Sequence, residues 1–321
     1  HASLTAIKKL VQLSSQDPKA HYSLGITLQK LENFKEAQAS FKKAIDLKPD
    51  YYLAHYSLGI NFKKLTNLDD AETCLRTVIK LNPNYYLGNY YLGVILQKLK
   101  KFAEAEASFR QAIVLKPDDV NAYNNLGVIL TKGRRLEEAC SAFTKAIDIN
   151  RNFYNAYENL GIVLKKTTFK SSNPRLYPAL INFLKFGKSA RPNDVAAAIL
   201  TLLKHDPKII ELFASKNIDS NLDKITLSMQ ALNKFALLHH LMRVCPLPDL
   251  ELEGLFVKIR RFLLVNLDIL SDSPVLDYFL STLSVQCFIN EYAYFESEEE
   301  SCLVEELETV IDANIIKAKQ P

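Results

Sequence analysis

The chain of 321 residues is longer than one compact domain requires, so two structural units are the first expectation. Apolar residues make up 48% and charged residues 24% of it, a balance that excludes wholesale disorder. Its glycines are sparse, nine in 321 residues, which argues against the glycine-rich phosphate loops of nucleotide-binding folds. The net charge of +4 divides into an excess of basic residues in the first half and of acidic residues in the second. This modest charge disfavours a nucleic-acid partner.

The five cysteines are far apart and odd in number, and they lack Cys-x-x-Cys spacing. We therefore expect no disulfide framework, no metal site and a reducing, cytoplasmic location. No apolar run reaches the length of a membrane span, so no membrane partner is expected. The first residue is His1 and the opening stretch does not resemble a signal peptide, which suggests a piece of a longer product.

A repeat of 34 residues runs through the first half of the chain. Five glycines follow a leucine at this interval, and a large apolar residue stands three positions after each: Gly25, Gly59, Gly93, Gly127 and Gly161. Further positions recur at the same period, as Ala37, Ala71, Ala105 and Ala139, and as Phe41, Leu75, Phe109 and Phe143. A proline closes three of the repeats, at Pro49, Pro83 and Pro117. So many coincident positions at one period predict a repeat architecture.

Within each repeat the apolar spacing predicts two helices. Leu24, Gly25 and Leu28 share one face of the first, and Ala37 and Phe41 share one face of the second. A glycine inside a helix costs about 0.5–1 kcal/mol relative to alanine, so its recurrence needs a compensating contact. We expect close packing of the partner helix against the exposed backbone, and stacking of each pair on its neighbours.

These positions resemble the tetratricopeptide repeat. The resemblance covers four full repeats at 18–151, the first helix of a fifth at 152–166, and the second helix of a preceding one at 3–13. It implies an all-α fold, a right-handed superhelical α-solenoid of helix-turn-helix repeats over residues 1–166. The family's first bulky aromatic is replaced by His21, His55 and Asn89, and is present again as Tyr123 and Tyr157.

The face of the first helices opposite their core carries three recurring kinds of residue, and in this family it lines a concave groove. A lysine recurs at Lys30, Lys64, Lys98, Lys132 and Lys166, and an apolar residue at Ile26, Ile60, Val94, Val128 and Ile162. Beside them lie Tyr22, Tyr56 and Tyr90, followed by Asn124 and Glu158. Such a surface suits a protein or peptide partner with acidic groups or a free carboxylate. The alternatives remain open: lysine is also a good solvated residue near a helix C-terminus, and the aliphatic and tyrosine side chains also serve in packing.

Some tetratricopeptide proteins bind a terminal carboxylate with a lysine and asparagine clamp. Asn125 and Asn159 stand at the corresponding positions, but the first repeats have Ser23 and Ser57 there, so the clamp is not carried over. We still expect Asn125 and Asn159, with Asn124, to belong to the peptide-binding groove.

After the repeats, residues 167–175 form a polar segment that we interpret as a linker. Residues 176–321 follow a helical pattern without a repeat, and we expect an all-helical C-terminal domain that caps the solenoid or forms a separate bundle. Helices are predicted at 176–187, 193–204, 207–216, 221–243, 249–270, 274–295 and 298–319. No alternating run bounded by hairpin residues predicts a sheet.

Residues 237–256 and 286–294 resemble the helical region that precedes the catalytic domain in bacterial tetratricopeptide-repeat methyltransferases dependent on S-adenosylmethionine. That resemblance implies a catalytic domain beyond residue 321. The residues themselves show no catalytic motif, and no cofactor-binding or metal-binding motif. We therefore expect a noncatalytic protein-binding or peptide-binding scaffold, with the substrate-recruiting part of a methyltransferase as the alternative and of a glycosyltransferase as the third hypothesis.

Overall fold

The computed structural model divides into two compact units, residues 1–156 and 157–321. It describes residues 2–186, 191–214, 231–247, 249, 251–252, 254–256, 259 and 282–283. Every described element is a helix or a turn, and no strand occurs in those ranges. The all-α prediction is confirmed.

The first unit consists of α-helices joined by short turns. They are α1 (Ala2–Leu13), α2 (Pro18–Lys30), α3 (Phe34–Leu47), α4 (Tyr52–Lys64), α5 (Leu68–Leu81), α6 (Tyr86–Lys98), α7 (Phe102–Leu115), α8 (Val120–Lys132) and α9 (Leu136–Ile149). The next helix is α10 (Tyr154–Leu164). Helices α2 to α9 form the four predicted pairs, and α1 is the predicted helix ahead of them. Each pair packs together, and α3, α5 and α7 also contact the first helix of the following pair.

The core of each pair lies where the recurring small and large residues meet. The four alanines of the second helices, from Ala37 to Ala139, are fully buried, and so are Phe41, Leu75 and Phe109. A Cβ built on Gly127 would lie 2.6 Å from Cε1 of Phe143, closer than real Cβ contacts come. The glycines therefore stand where the second helix crosses closest, as the 34-residue period predicts.

A left-handed residue ends the first helix of every pair. Glu32, Thr66, Lys100 and Arg134 have φ angles of 59°, 61°, 61° and 58°. In the second pair the Thr66 amide donates to the Lys63 carbonyl at 3.2 Å, and the Asn67 amide donates to the Phe62 carbonyl at 3.0 Å. These two bonds form a Schellman motif, which satisfies the last carbonyls of α4.

The residue that follows each second helix has an extended backbone. Lys48, Asn82 and Lys116 have φ near −142° and ψ of 88° and precede the three repeat prolines. A following proline excludes the helical region for them, so the helix ends there. Asn150 adopts nearly the same angles although Arg151 replaces the proline.

The second unit contains shorter helices. A 3-10 helix at Pro174–Leu176 precedes α11 (Tyr177–Phe186), α12 (Pro192–Lys204), α13 (Pro207–Ala214) and α14 (Ala236–Met242). In the predicted linker, Phe169 is 2% exposed and its amide donates to Oγ1 of Thr201 at 3.1 Å. The role of 167–175 as a linker, and the predicted domain limits at 166 and 176, stay predictions.

The predicted helix 221–243 is wrong in its extent. A turn at Lys234 interrupts it, and the backbone of Phe235 leaves the helical region with φ −92° and ψ 79°. The amides of Lys234 and Phe235 donate three residues back, to Ala231 and Leu232, which closes the chain into a tighter turn. Residues 221–230 and most of the predicted helices 249–270, 274–295 and 298–319 lie outside the described residues. So does 286–294, and the methyltransferase resemblance stays a hypothesis.

Candidate functional site

Four of the predicted lysines lie on one face of the first unit. Lys30, Lys64, Lys98 and Lys132 are the last residues of α2, α4, α6 and α8, and all four are exposed. Successive first helices contact one another, so this surface, called here the lysine face, continues from repeat to repeat. Lys166 is also exposed, but it belongs to the second unit.

The recurring apolar residue of the first helices is only partly buried in the first unit. Ile26, Ile60, Val94 and Val128 are half-buried between neighbouring first helices, whereas Ile162 in the second unit is 54% exposed. The four residues of the first unit therefore contribute to packing and leave part of their surface accessible.

Tyrosines of three repeats form two groups of ring contacts. Tyr22 contacts Tyr51 with ring centroids 5.2 Å apart, and Tyr56 contacts Tyr85 at 5.3 Å. The ring of Tyr91 also contacts the rings of Tyr56 and Tyr90, with centroid distances of 5.8 and 5.0 Å. Sequence reasoning found Tyr22, Tyr56 and Tyr90 and missed their partners. The signal was present, because Tyr51 and Tyr85 stand 34 residues apart, directly before α4 and α6.

A tyrosine hydroxyl is protonated at neutral pH, and burial strengthens this here. It raises the pKa of Tyr56 far above its ordinary value, with a further contribution from Tyr91, and it raises the pKa of Tyr85 and Tyr90 as well. At neutral pH these three hydroxyls are therefore neutral hydrogen-bond donors.

Lys63 adds a cation that sequence reasoning missed. Its Nζ lies 4.7 Å from the centroid of the Tyr91 ring, a cation–π contact. Burial lowers the pKa of Lys63, and the nearby ammoniums of Lys98 and Lys64 lower it further. Within the described ranges no carboxylate forms an ion pair with any of these three lysines. We call Lys63, Lys64 and Lys98 the lysine cluster.

The predicted asparagines differ in their roles. Nδ2 of Asn125 donates to the hydroxyl of Tyr90 at 3.3 Å, so this amide already links two adjacent repeats. Asn124 is half-buried on the same helix, and Asn159 is half-buried in the second unit. The ammonium of Lys132 lies 5.3 Å from the centroid of the Phe102 ring.

Elsewhere on the first unit, opposite charges compensate one another across the repeats. Glu72 pairs with Arg76 and Lys101, each at 2.8 Å, and Arg76 also pairs with Glu104 of the next repeat. The same arrangement recurs 34 residues later at Glu106, Arg110, Arg135 and Glu138. We call these residues the ion-pair ladder. The three neighbouring ammoniums of the lysine cluster lack such partners in the described ranges.

The lysine face thus offers hydroxyl donors, ammonium groups and aliphatic surface to a ligand. No set of three or more His, Cys, Asp and Glu side chains in the described part of the chain is arranged to hold a metal ion. Among the helices described, none is both long and apolar enough to cross a bilayer.

Comparison with protein families matches the repeats alone. A family model described as tetratricopeptide repeat matches residues 18–51. A second model with the same description matches residues 56–119 and 92–152. No match was found among curated proteins.

Several solved structures of helical repeat proteins are similar to parts of this chain. YrrB, described as a TPR protein with an unusual peptide-binding site, is 19% identical, with 56% of this chain and 91% of that chain covered and a TM-score of 0.48. MamA of Desulfovibrio magneticus RS-1 is 21% identical, with 62% and 97% covered and a TM-score of 0.46. TTC0263, a thermophilic TPR protein of Thermus thermophilus, is 24% identical, with 51% and 89% covered and a TM-score of 0.42.

Proposed function

Since residues 18–51 and 56–152 of this chain belong to the tetratricopeptide repeat family, whose members are protein-interaction scaffolds, we propose that the lysine face binds an extended acidic peptide. The observation that carries this proposal is the lysine cluster. Burial is the larger cause of the lowered pKa of Lys63, and the ammoniums of Lys98 and Lys64 stand close enough to lower it further. No carboxylate of the described chain forms an ion pair with these three lysines.

An acidic ligand relieves this repulsion. Along the ion-pair ladder each basic side chain is paired with a glutamate, whereas Lys98 has no such pair in the described ranges. The carboxylates of the ligand supply the negative charge that is missing there. Charge repulsion inside the free protein is thereby exchanged for attraction in the complex, so the lysine cluster contributes more to binding than to folding.

The tyrosines and aliphatic residues favour a peptide in extended conformation. In an extended chain, successive side chains point to opposite sides. Acidic side chains on one side can therefore reach the lysines, while the side chains on the other side point away from the protein. The hydroxyl of Tyr90 accepts from Asn125, so its own proton remains to be donated to a peptide carbonyl group. The half-buried Ile60 and Val94 offer surface to a side chain between them.

The proposal is tested with the full chain and a fluorescein-labelled decapeptide in which glutamate alternates with alanine and leucine. A matched peptide carries glutamine in place of every glutamate. We expect the glutamate peptide to bind at least about tenfold more tightly by fluorescence anisotropy. The difference should shrink as salt rises from about 50 to about 500 mM, because exposed charges are screened.

Variants locate the binding surface. Lys63→Glu combined with Lys98→Glu should weaken binding of the glutamate peptide by about tenfold or more. The control exchanges Lys35 and Lys43, both exposed on α3, for glutamate, which changes the net charge equally and should leave the affinity within about twofold. Equal losses in both double variants, or no preference for the glutamate peptide, would contradict the proposal. Circular dichroism confirms that each variant remains helical.

A further inference from the structure

The fourth position of the first helices differs from repeat to repeat. His21 and His55 reach the backbone carbonyls six residues before them, with Nε2 3.0 Å from the oxygen of Ser15 and 2.9 Å from that of Pro49. The third repeat has Asn89 at this position and the fourth has Tyr123. Asn89 is 5% exposed, and its Nδ2 is buried without a hydrogen-bond partner. A buried amide without a partner costs free energy, so a ligand acceptor that reaches this donor gains a hydrogen bond that the protein does not supply.

A cleft lies around Asn89, between α5, α6 and α7. Its volume is about 420 Å³, within the usual range for small-molecule sites. Its apolar walls are Ile79, Leu92 and Ala107, and its polar groups include Ser108. The Ser108 hydroxyl donates to the carbonyl of Glu104 at 2.9 Å, whereas the buried amide of Asn89 has no acceptor.

The charged groups of the cleft are cationic. Arg76 lines it but is already paired with Glu72 and Glu104 of the ion-pair ladder. Lys80, one turn further along α5, is exposed and has no ion-pair partner in the described ranges. The lining contains no carboxylate. The cleft therefore favours a ligand that has an apolar body and one anionic group.

We propose that this cleft binds a small aromatic carboxylate. The ring lies against Ile79, Leu92 and Ala107, and the carboxylate accepts hydrogen bonds from Asn89 and Lys80. The fourth repeat carries an aromatic ring of its own, Tyr123, at the position that Asn89 occupies here. The ligand thus brings to the third repeat an aromatic ring, which the fourth repeat has in its own sequence as Tyr123.

The cleft and the lysine face are separate surfaces. Asn89 and Lys98 stand nine positions apart on α6, which places them about 180° from each other around the helix axis. Binding in the cleft therefore does not depend on the function proposed for the lysine face.

The test uses the full chain and 4-hydroxyphenylacetate, with the uncharged 4-hydroxyphenylacetamide as the matched probe. Saturation-transfer NMR titrations give both affinities. We expect saturable binding of the acid with a Kd of about 1 mM or tighter, and binding of the amide at least about fivefold weaker. The side-chain amide signal of Asn89 should shift during the titration with the acid, because Nδ2 gains an acceptor.

Two variants identify the site. Asn89→Tyr fills the cleft and should weaken binding of the acid by about tenfold or more, without loss of helicity. Lys80→Gln should weaken it by about threefold, whereas Lys43→Gln on α3 should leave it unchanged. The proposal is overturned if the acid does not bind saturably, if the amide binds as tightly, or if folded Asn89→Tyr binds normally. Should Asn89→Tyr fail to fold, an unchanged affinity in Lys80→Gln overturns it.

Discussion

Gly25 lies against the ring of Phe41, so close that a Cβ on the glycine would stand 2.5 Å from Cε1 of the phenylalanine. Phe41 is fully buried, and a ring in a close-packed core moves only at a cost in packing. The second repeat is more permissive. A Cβ on Gly59 would lie 3.1 Å from Cγ of Leu75, the residue that replaces phenylalanine there.

We expect Gly25→Ala to destabilise the protein and Gly59→Ala to be close to neutral. Overpacking at Phe41 costs about 1–3 kcal/mol, whereas alanine gains about 0.5–1 kcal/mol of helix propensity at either site. Urea unfolding monitored by circular dichroism measures both variants. Gly25→Ala combined with Phe41→Leu serves as the control, because the smaller side chain should recover part of the loss. Equal effects at Gly25 and Gly59 would contradict this account.

Thr66 has a φ of 61°, an unfavourable conformation for a β-branched residue. Thr66→Gly should therefore stabilise the protein by about 1 kcal/mol, less the entropy that glycine adds to the unfolded chain. The rise in urea midpoint measures this effect.

Thr73 provides the matched control. It is exposed inside α5 with ordinary helical geometry, so Thr73→Gly should lower stability by about 0.5 kcal/mol through lost helix propensity. If both threonine variants lower the midpoint, the left-handed residue is not strained.

The ion-pair ladder should make stability dependent on acid pH. Burial alone would raise the pKa of Glu72 and Glu106, but the hydrogen bonds from Arg76 and Lys101, and from Arg110 and Arg135, outweigh it and lower both pKa values. A carboxyl group whose pKa is lower in the folded than in the unfolded state stabilises the folded state at pH values above its ordinary pKa. That stabilisation is lost as the pH falls through the folded-state value.

Glu72→Gln combined with Glu106→Gln should therefore be less stable than the wild type at pH 7. The two should converge as the pH falls below the ordinary glutamate value of about 4.5. Urea midpoints at a series of pH values measure the convergence. The control is Glu32→Gln, at an exposed glutamate outside the ladder, and its urea midpoint should change with pH in parallel with that of the wild type. A pH-independent deficit in the double variant would contradict the role of these carboxylates.

Lys98 contributes to the lowered pKa of Lys63. Lys98→Gln should raise the pKa of Lys63 towards its ordinary value, although burial, the larger cause, will keep it lower. Lys64→Gln should raise it by less, because Lys64 is the weaker contributor. NMR titration of ¹³C-labelled lysine side chains measures all three proteins. A titration curve for Lys63 that neither variant shifts would show that the three ammoniums do not interact.

The 34-residue period predicted the core of the repeats because packing there depends on residue size. Gly127 and Phe143 must match wherever two helices cross closely, so both recur and both are visible in the sequence. Lys63, in contrast, does not recur in every repeat. Its equivalents are Gln29, Gln97, Thr131 and Lys165, so a search for recurring residues passes over it.

The ion-pair ladder was also beyond sequence reasoning. Glu72 and Glu106 recur at the repeat period, but Glu72 pairs with Lys101, 29 positions away, and only the stacking of one repeat on the next brings them together. In the second unit, no glycine or proline marks the turn at Lys234, so the amphipathic pattern predicted a continuous helix. Such a turn depends on tertiary packing, which outweighs local propensity.

The ladder does not link all repeats equally. It joins the second repeat to the third and the third to the fourth. In the described residues the first repeat is joined to the second by amide hydrogen bonds, from Gln29 to the carbonyl of Ser57 at 3.5 Å and from Asn61 to that of Phe34 at 2.9 Å. Exposed ion pairs are screened by salt, whereas neutral amide hydrogen bonds are not. The two junctions that the ladder spans should therefore weaken as the salt concentration rises, while the first junction keeps its strength.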